Sequence, residues 1–148
     1  MSIENNKAIA RRLTELLDKE NDLELMELLA PGFISHFAGF PTPLNREQYL
    51  QVNHMAKAAF NDLHRTVEDL VAEGDKVTVR ITVRGTHTGF YQGKQPTGKL
   101  TRITGIAIRR ILGEKIVEEW VVNDQLGLMQ QLGLFKVTAP AQPIEQGD

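Results

Sequence analysis

The chain has 148 residues, 41% of them hydrophobic, a formal net charge of −2 and no cysteine. That is the size of one domain, with enough apolar content to bury a core. The near-neutral charge gives no electrostatic case for nucleic acid or an anionic membrane. Without cysteine, disulfide scaffolds and thiolate chemistry are excluded, and any zinc site would need His and carboxylates.

The opening residues Met1 to Lys7 lack the apolar run of a signal peptide. No apolar stretch approaches membrane-spanning length, so the expectation is a soluble cytoplasmic protein. Ile9, Leu13, Leu16 and Leu17 recur at helical spacing, which predicts an amphipathic helix over residues 4–19. Asn21-Asp22 breaks it and caps a short second helix carrying Leu25, Met26, Leu28 and Leu29, which Pro31-Gly32 should end. Residues 33–37 read as a short extended segment, followed by a loop with Gly39, Pro41 and Pro43.

Asn45 and Gln48 then have the spacing of a capping box. The helix it opens carries Tyr49, Val52, Asn53, Ala56 and Phe60 on one face. From His64 the period changes to two. Residues 64–73, 76–87, 100–112 and 115–123 read as antiparallel strands, with turns at Gly74-Asp75 and Gly113-Glu114 and a longer loop over 89–98. A last short helix over 124–132 stops at Gly133. Residues 1–137 are expected to form the single domain and 138–148 a tail without fixed structure.

Helices followed by a run of strands indicate an α+β domain in which a twisted antiparallel sheet curls around the N-terminal helices and encloses a pocket. Chemistry is then sought among polar residues on inward positions. If the last strand runs without a bulge, Ile116, Glu118, Trp120, Val122 and Asp124 share one face, and the strand delivers a carboxylate beside an aromatic ring. A carboxylate in an apolar setting is suited to general acid/base work, whereas Asp before Gln125-Leu126 is equally a favoured helix N-cap. Asn53, on the helix stripe with Tyr49, must find partners in the backbone or in a ligand. His87 continues the Val79, Ile81, Val83 face, and His36 alternates with Ser35 and Phe37. His54 is rotated away from Asn53 and His64 is expected at the surface.

The chain has no Gly-rich phosphate loop, no HExxH and no serine-nucleophile spacing. Lys99, Arg102, Arg109 and Arg110 make a basic strand without interleaved aromatics, which fits a solvated face or an oligomer contact better than RNA.

Residues 22–36, 66–77, Gly85-Thr86-His87-Thr88-Gly89, Pro96-Thr97-Gly98-Lys99 and 115–133 are together similar to SnoaL-like polyketide cyclases, in order along residues 4–135. That family lies within the nuclear transport factor 2-like superfamily of α+β cones. The resemblance implies a cone-shaped α+β barrel with a hydrophobic pocket, no cofactor, and assembly as a homodimer. It implies aldol cyclisation or isomerisation of a small apolar carbonyl compound, with an aspartate as acid/base at the position of Asp124. Asn53, His36, His87, Trp120 and Tyr49 would contact substrate. A non-catalytic small-molecule or protein-binding module on the same fold is the alternative.

Overall fold

The computed structural model describes residues 2–135. The expected tail over 138–148 therefore lies outside the described residues. Helix α1 (Ile3–Lys19) starts on the Ser2 hydroxyl, which accepts the Asn5 amide, and closes on Glu20 in the left-handed region. Helix α2 (Asp22–Leu28) is capped by Asn21. Helix α3 (Arg46–Ala59) begins in the capping box that Asn45 and Gln48 form with each other's backbone.

Six strands make one sheet: β1 (Leu29–Phe37), β2 (Leu44–Asn45), β3 (His64–Glu73), β4 (Lys76–Thr86), β5 (Leu100–Leu112) and β6 (Lys115–Asn123). Their order is β2-β1-β6-β5-β4-β3, antiparallel throughout except that β1 runs parallel to β6. The inner face carries Val77, Val79 and Ile81 of β4, Ile111 of β5 and Ile116 of β6 against Leu13, Leu16 and Leu17 of α1, with Phe33 and Tyr49 completing the core. Burying this face against helices holds the long sheet in register, since a one-residue slip would expose the whole row. A second cluster gathers Ala59, Phe60, Leu63 and Ile103 around Leu128 and Leu132, which belong to or flank the final helix α4 (Gln125–Gln131).

Three local features differ from the sequence reading. Helix α2 stops at Leu28, and Pro31-Gly32 lies inside β1 rather than behind a helix end. The pairing with β6 shifts between Leu29 and Ile34, and this irregularity accommodates a proline that cannot donate to a ladder. The second difference is β2, a two-residue strand against Ile34 and Ser35. The third bears on function. In the β5–β6 hairpin Ile111 pairs with Ile116 but Arg110 pairs with Glu118, so Val117 is an extra residue. This bulge reverses the alternation of β6. Glu119 and Val121 face inward with Ile116, while Glu118, Trp120 and Val122 face outward.

Candidate active site

The reversed alternation puts a carboxylate in the interior that the unbulged reading turned outward. Glu119 lies opposite Arg109 across the hairpin, and their side chains are 0% and 3% exposed. Arg109 Nε donates to Glu119 Oε2 at 2.8 Å, and the Tyr49 hydroxyl donates to the same oxygen at 3.2 Å. The Ser35 hydroxyl donates to Oε1 at 3.0 Å. Arg109 Nη1 in turn donates to the Ala10 carbonyl and to Thr14 Oγ1, each at 2.7 Å. A buried ion pair is tolerable only when such additional bonds repay its desolvation. This one links α1, β1, α3, β5 and β6. Burial, and then the Glu119 charge, drive the Tyr49 phenol far above its ordinary value, so its proton stays in place to donate.

Asn53 is fully engaged nearby. Its amide nitrogen donates to the Leu17 carbonyl at 3.0 Å, and its oxygen accepts from Arg65 Nη2 at 3.0 Å. Arg65 is fixed by Asp18 at 2.8 Å. Tyr49 and Asn53 thus sit inward on α3 as their stripe indicated, but both spend their polar atoms on the protein.

Asp124 follows the last residue of β6 and is exposed, as the N-cap of α4. Its Oδ1 accepts the Gly127 amide at 2.9 Å. A Cβ on Gly127 would come within 2.2 Å of Oδ2, so glycine there makes room for the carboxylate. The Asp124 amide donates to the Thr104 carbonyl at 3.0 Å, which anchors the strand-to-helix join. The adjoining residue Asn123 points inward, its Oδ1 buried over Gly105 without a partner among the described residues.

His87 is brought to the same end of the molecule. It is fully buried and its ring lies 5.5 Å from Phe60 and 6.4 Å from Tyr91. His87 Nδ1 lies 3.0 Å from Thr97 Oγ1 and accepts the Thr97 amide at 3.2 Å, an arrangement that favours the ring proton on Nε2. That nitrogen is buried and has no partner among the described residues. Tyr91 continues the chain of contacts, because Gln125 Nε2, at the start of α4, donates to its hydroxyl at 3.1 Å. Asp124 and His87 therefore flank one end of the cone, joined through Gln125, Tyr91 and Phe60.

His36 and Trp120 are elsewhere, which corrects the expectation that they share the Asp124 cavity. They stack at 5.4 Å on the outer face of the sheet, where His36 Nε2 meets Glu118 at 2.7 Å. They line a surface cavity of about 350 Å³ with Phe37, Phe40 and Pro41. His54 pairs with Asp22 at the surface, and His64 with Asp18. Among the described residues no group of three or more His, Asp or Glu side chains could hold a metal ion. Of the basic strand, Arg102 and Arg110 face outward but Arg109 does not, so the solvated-face reading fails for it. Sequence reasoning missed Glu119, Arg109, Ser35 and Thr14. The alternation of Ile103, Ala107 and Ile111 was a signal for Arg109.

A curled sheet closed by three helices, with a fourth at its open end, defines an α+β cone of the nuclear transport factor 2 and ketosteroid isomerase type. The model of the SnoaL-like polyketide cyclase family matches residues 7–132, and the chain belongs to that family. Among solved structures it is similar to IdmH, a candidate polyketide cyclase from Streptomyces antibioticus, at 33% identity and TM-score 0.79, covering 86% of this chain and 98% of that one. AclR, a candidate hydroxylase from Streptomyces galilaeus, is 25% identical with TM-score 0.84, over 93% of this chain and 87% of that one. A candidate polyketide cyclase from Acidithiobacillus ferrooxidans is 28% identical with TM-score 0.77, over 90% and 98% respectively. No curated protein matches the chain.

Proposed function

We propose that the chain takes a small, largely apolar carbonyl compound at the Asp124 end of the cone and transfers a proton on it, as in intramolecular aldol cyclisation or isomerisation. The observation that carries this reading is the buried His87 ring. A buried N–H without a partner among the described residues, beside Phe60 and Tyr91, is suited to donate to a carbonyl oxygen and to the enolate that forms from it. Asp124 would move the proton to or from carbon. One of its oxygens is held by the Gly127 amide, while Oδ2 accepts no hydrogen bond from the described residues. Glu119 is unsuited to that task, because three donors, the buried Arg109 among them, hold it.

Exchange of the α-protons of 2-tetralone for deuterium, followed by NMR, tests the chemistry without knowledge of the natural substrate. The wild type should accelerate exchange, and Asp124→Asn should lower that acceleration by about 100-fold or more. Equal rates in the two proteins would refute the acid/base role.

A second reading is favoured by one observation. Asp124 is exposed and already serves as a helix cap, so the same end of the cone could hold a ligand without turnover. In that case 2-tetralone binds but its exchange matches buffer. In either reading, the proposed assembly is a homodimer through the outer sheet face, where Ile106 and Val122 are paired across strands and 49% and 62% exposed.

A further inference from the structure

The net charge of −2 conceals a strong local asymmetry. Residues 76–113, the β4–β5 hairpin and its loop, hold eight Lys and Arg and no Asp or Glu. The half of the hairpin nearest the β3–β4 turn is neutralised from outside. Arg80 pairs with Asp69, Lys76 with Asp75, Arg110 with Asp75 and Glu118, and Arg109 with Glu119.

The other half is not neutralised. Among the described residues Arg84, Lys94, Lys99 and Arg102 have no ion pair, whereas the proximal cations all do. Arg84 and Arg102 stand directly opposite each other in the ladder, an arrangement that costs stability unless an anion lies over it. Asp62 feels the Arg84 charge, but Thr86 holds it through its amide and hydroxyl, the main causes of its lowered pKa.

Two large apolar side chains project from the same half. Phe90 is 62% and Leu100 68% exposed, and Leu100 shares the outward face of β5 with Arg102. The loop is folded back on the hairpin, since the His87 amide donates to the Lys99 carbonyl and the Gly98 amide to the His87 carbonyl, each at 2.9 Å. Exposed Phe and Leu beside unpaired Lys and Arg match the interface of an anionic bilayer, whose headgroups neutralise the cations while the apolar side chains enter the acyl boundary.

We infer that the distal β4–β5 hairpin is a peripheral docking surface for anionic lipid membrane, with Phe90 and Leu100 as the inserted residues. The inference is independent of the proton-transfer reading. The surface includes the loop bonded over His87, so an apolar compound dissolved in lipid would meet the protein at the His87 end.

Flotation with vesicles of phosphatidylcholine alone, and of phosphatidylcholine with 30% phosphatidylglycerol, tests it on the full chain. Wild type should float with the anionic vesicles only, and release at 500 mM salt. Each Lys or Arg near the surface is worth about fivefold in partitioning, so Lys94→Glu with Lys99→Glu should weaken binding by about 25-fold or more. Phe90→Ser with Leu100→Ser should weaken it with the charges intact, and circular dichroism should show both doubles folded. Failure of the wild type to bind anionic vesicles would overturn the inference, as would binding indifferent to both doubles. Retention on poly-glutamate without vesicle binding would also overturn it, and would assign the surface to an acidic protein.

Discussion

Arg109 and Glu119 face each other across the β5–β6 hairpin at 2.8 Å, sealed from water, and the ends of both side chains are occupied by groups from three other elements. The pair stands at the centre of the cone and has a structural consequence before any catalytic one. Removing one partner leaves an uncompensated buried charge, whereas removing both need not.

Glu119→Ala should therefore destabilise the protein by about 3–5 kcal/mol in urea denaturation. Arg109→Met combined with Glu119→Leu should cost clearly less than the sum of the single changes. Additive losses would mean that the two charges are not coupled.

Tyr49 predicts an alkaline signature. Its folded-state pKa is raised above the ordinary value near 10.0, by burial first and the Glu119 charge second. The phenol then contributes stability that is complete below pH 10 and is lost as pH rises, because only the unfolded chain releases the proton. The loss is about 1.4 kcal/mol per pH unit above about pH 10. Tyr49→Phe should lower stability by about 1 kcal/mol at pH 7 and remove that part of the alkaline slope. Parallel slopes for the two proteins from pH 9 to 11 would contradict the assignment.

Gly105 and Asn123 predict a rescue. A Cβ on Gly105 would lie 2.0 Å from Asn123 Oδ1, far inside contact distance. Gly105→Ala should cost about 1–3 kcal/mol by overpacking. Asn123→Ala in the same chain should recover most of that loss. Thermal unfolding of the two singles and the double decides it.

Much of the fold was legible in the sequence because its signals are local. The capping box at Asn45 and Gln48, the Val77-Val79-Ile81 alternation and the turn at Gly74-Asp75 each act within a few residues. The interior of the site was less legible because it depends on one non-local event. A single extra residue, Val117, moves Glu119 inward and Trp120 outward, and nothing in β6 alone marks it. Asp124 was read correctly as a possible cap, and His87 as a residue of the strand end. That His87 would meet Tyr91, and Tyr91 meet Gln125, required the loop and α4 to come together in space.

The outer face offers a test of assembly. Val122→Glu with Ile106→Glu puts like charges on two paired, exposed positions. Light scattering should report a dimer for wild type and a monomer for the double variant. A wild-type monomer at micromolar concentration would exclude this interface.

The most direct test of the central claim is the rate of α-proton exchange of 2-tetralone in wild type and Asp124→Asn, with binding measured alongside. Asn is as good a helix cap as Asp, so the variant should keep its fold while losing only the carboxylate. If Asp124 meets the ligand as an acid/base, both proteins will bind 2-tetralone and the wild type will exchange its protons about 100-fold or more faster. Equal exchange rates would reduce Asp124 to the cap of α4 and leave the cone a binding module.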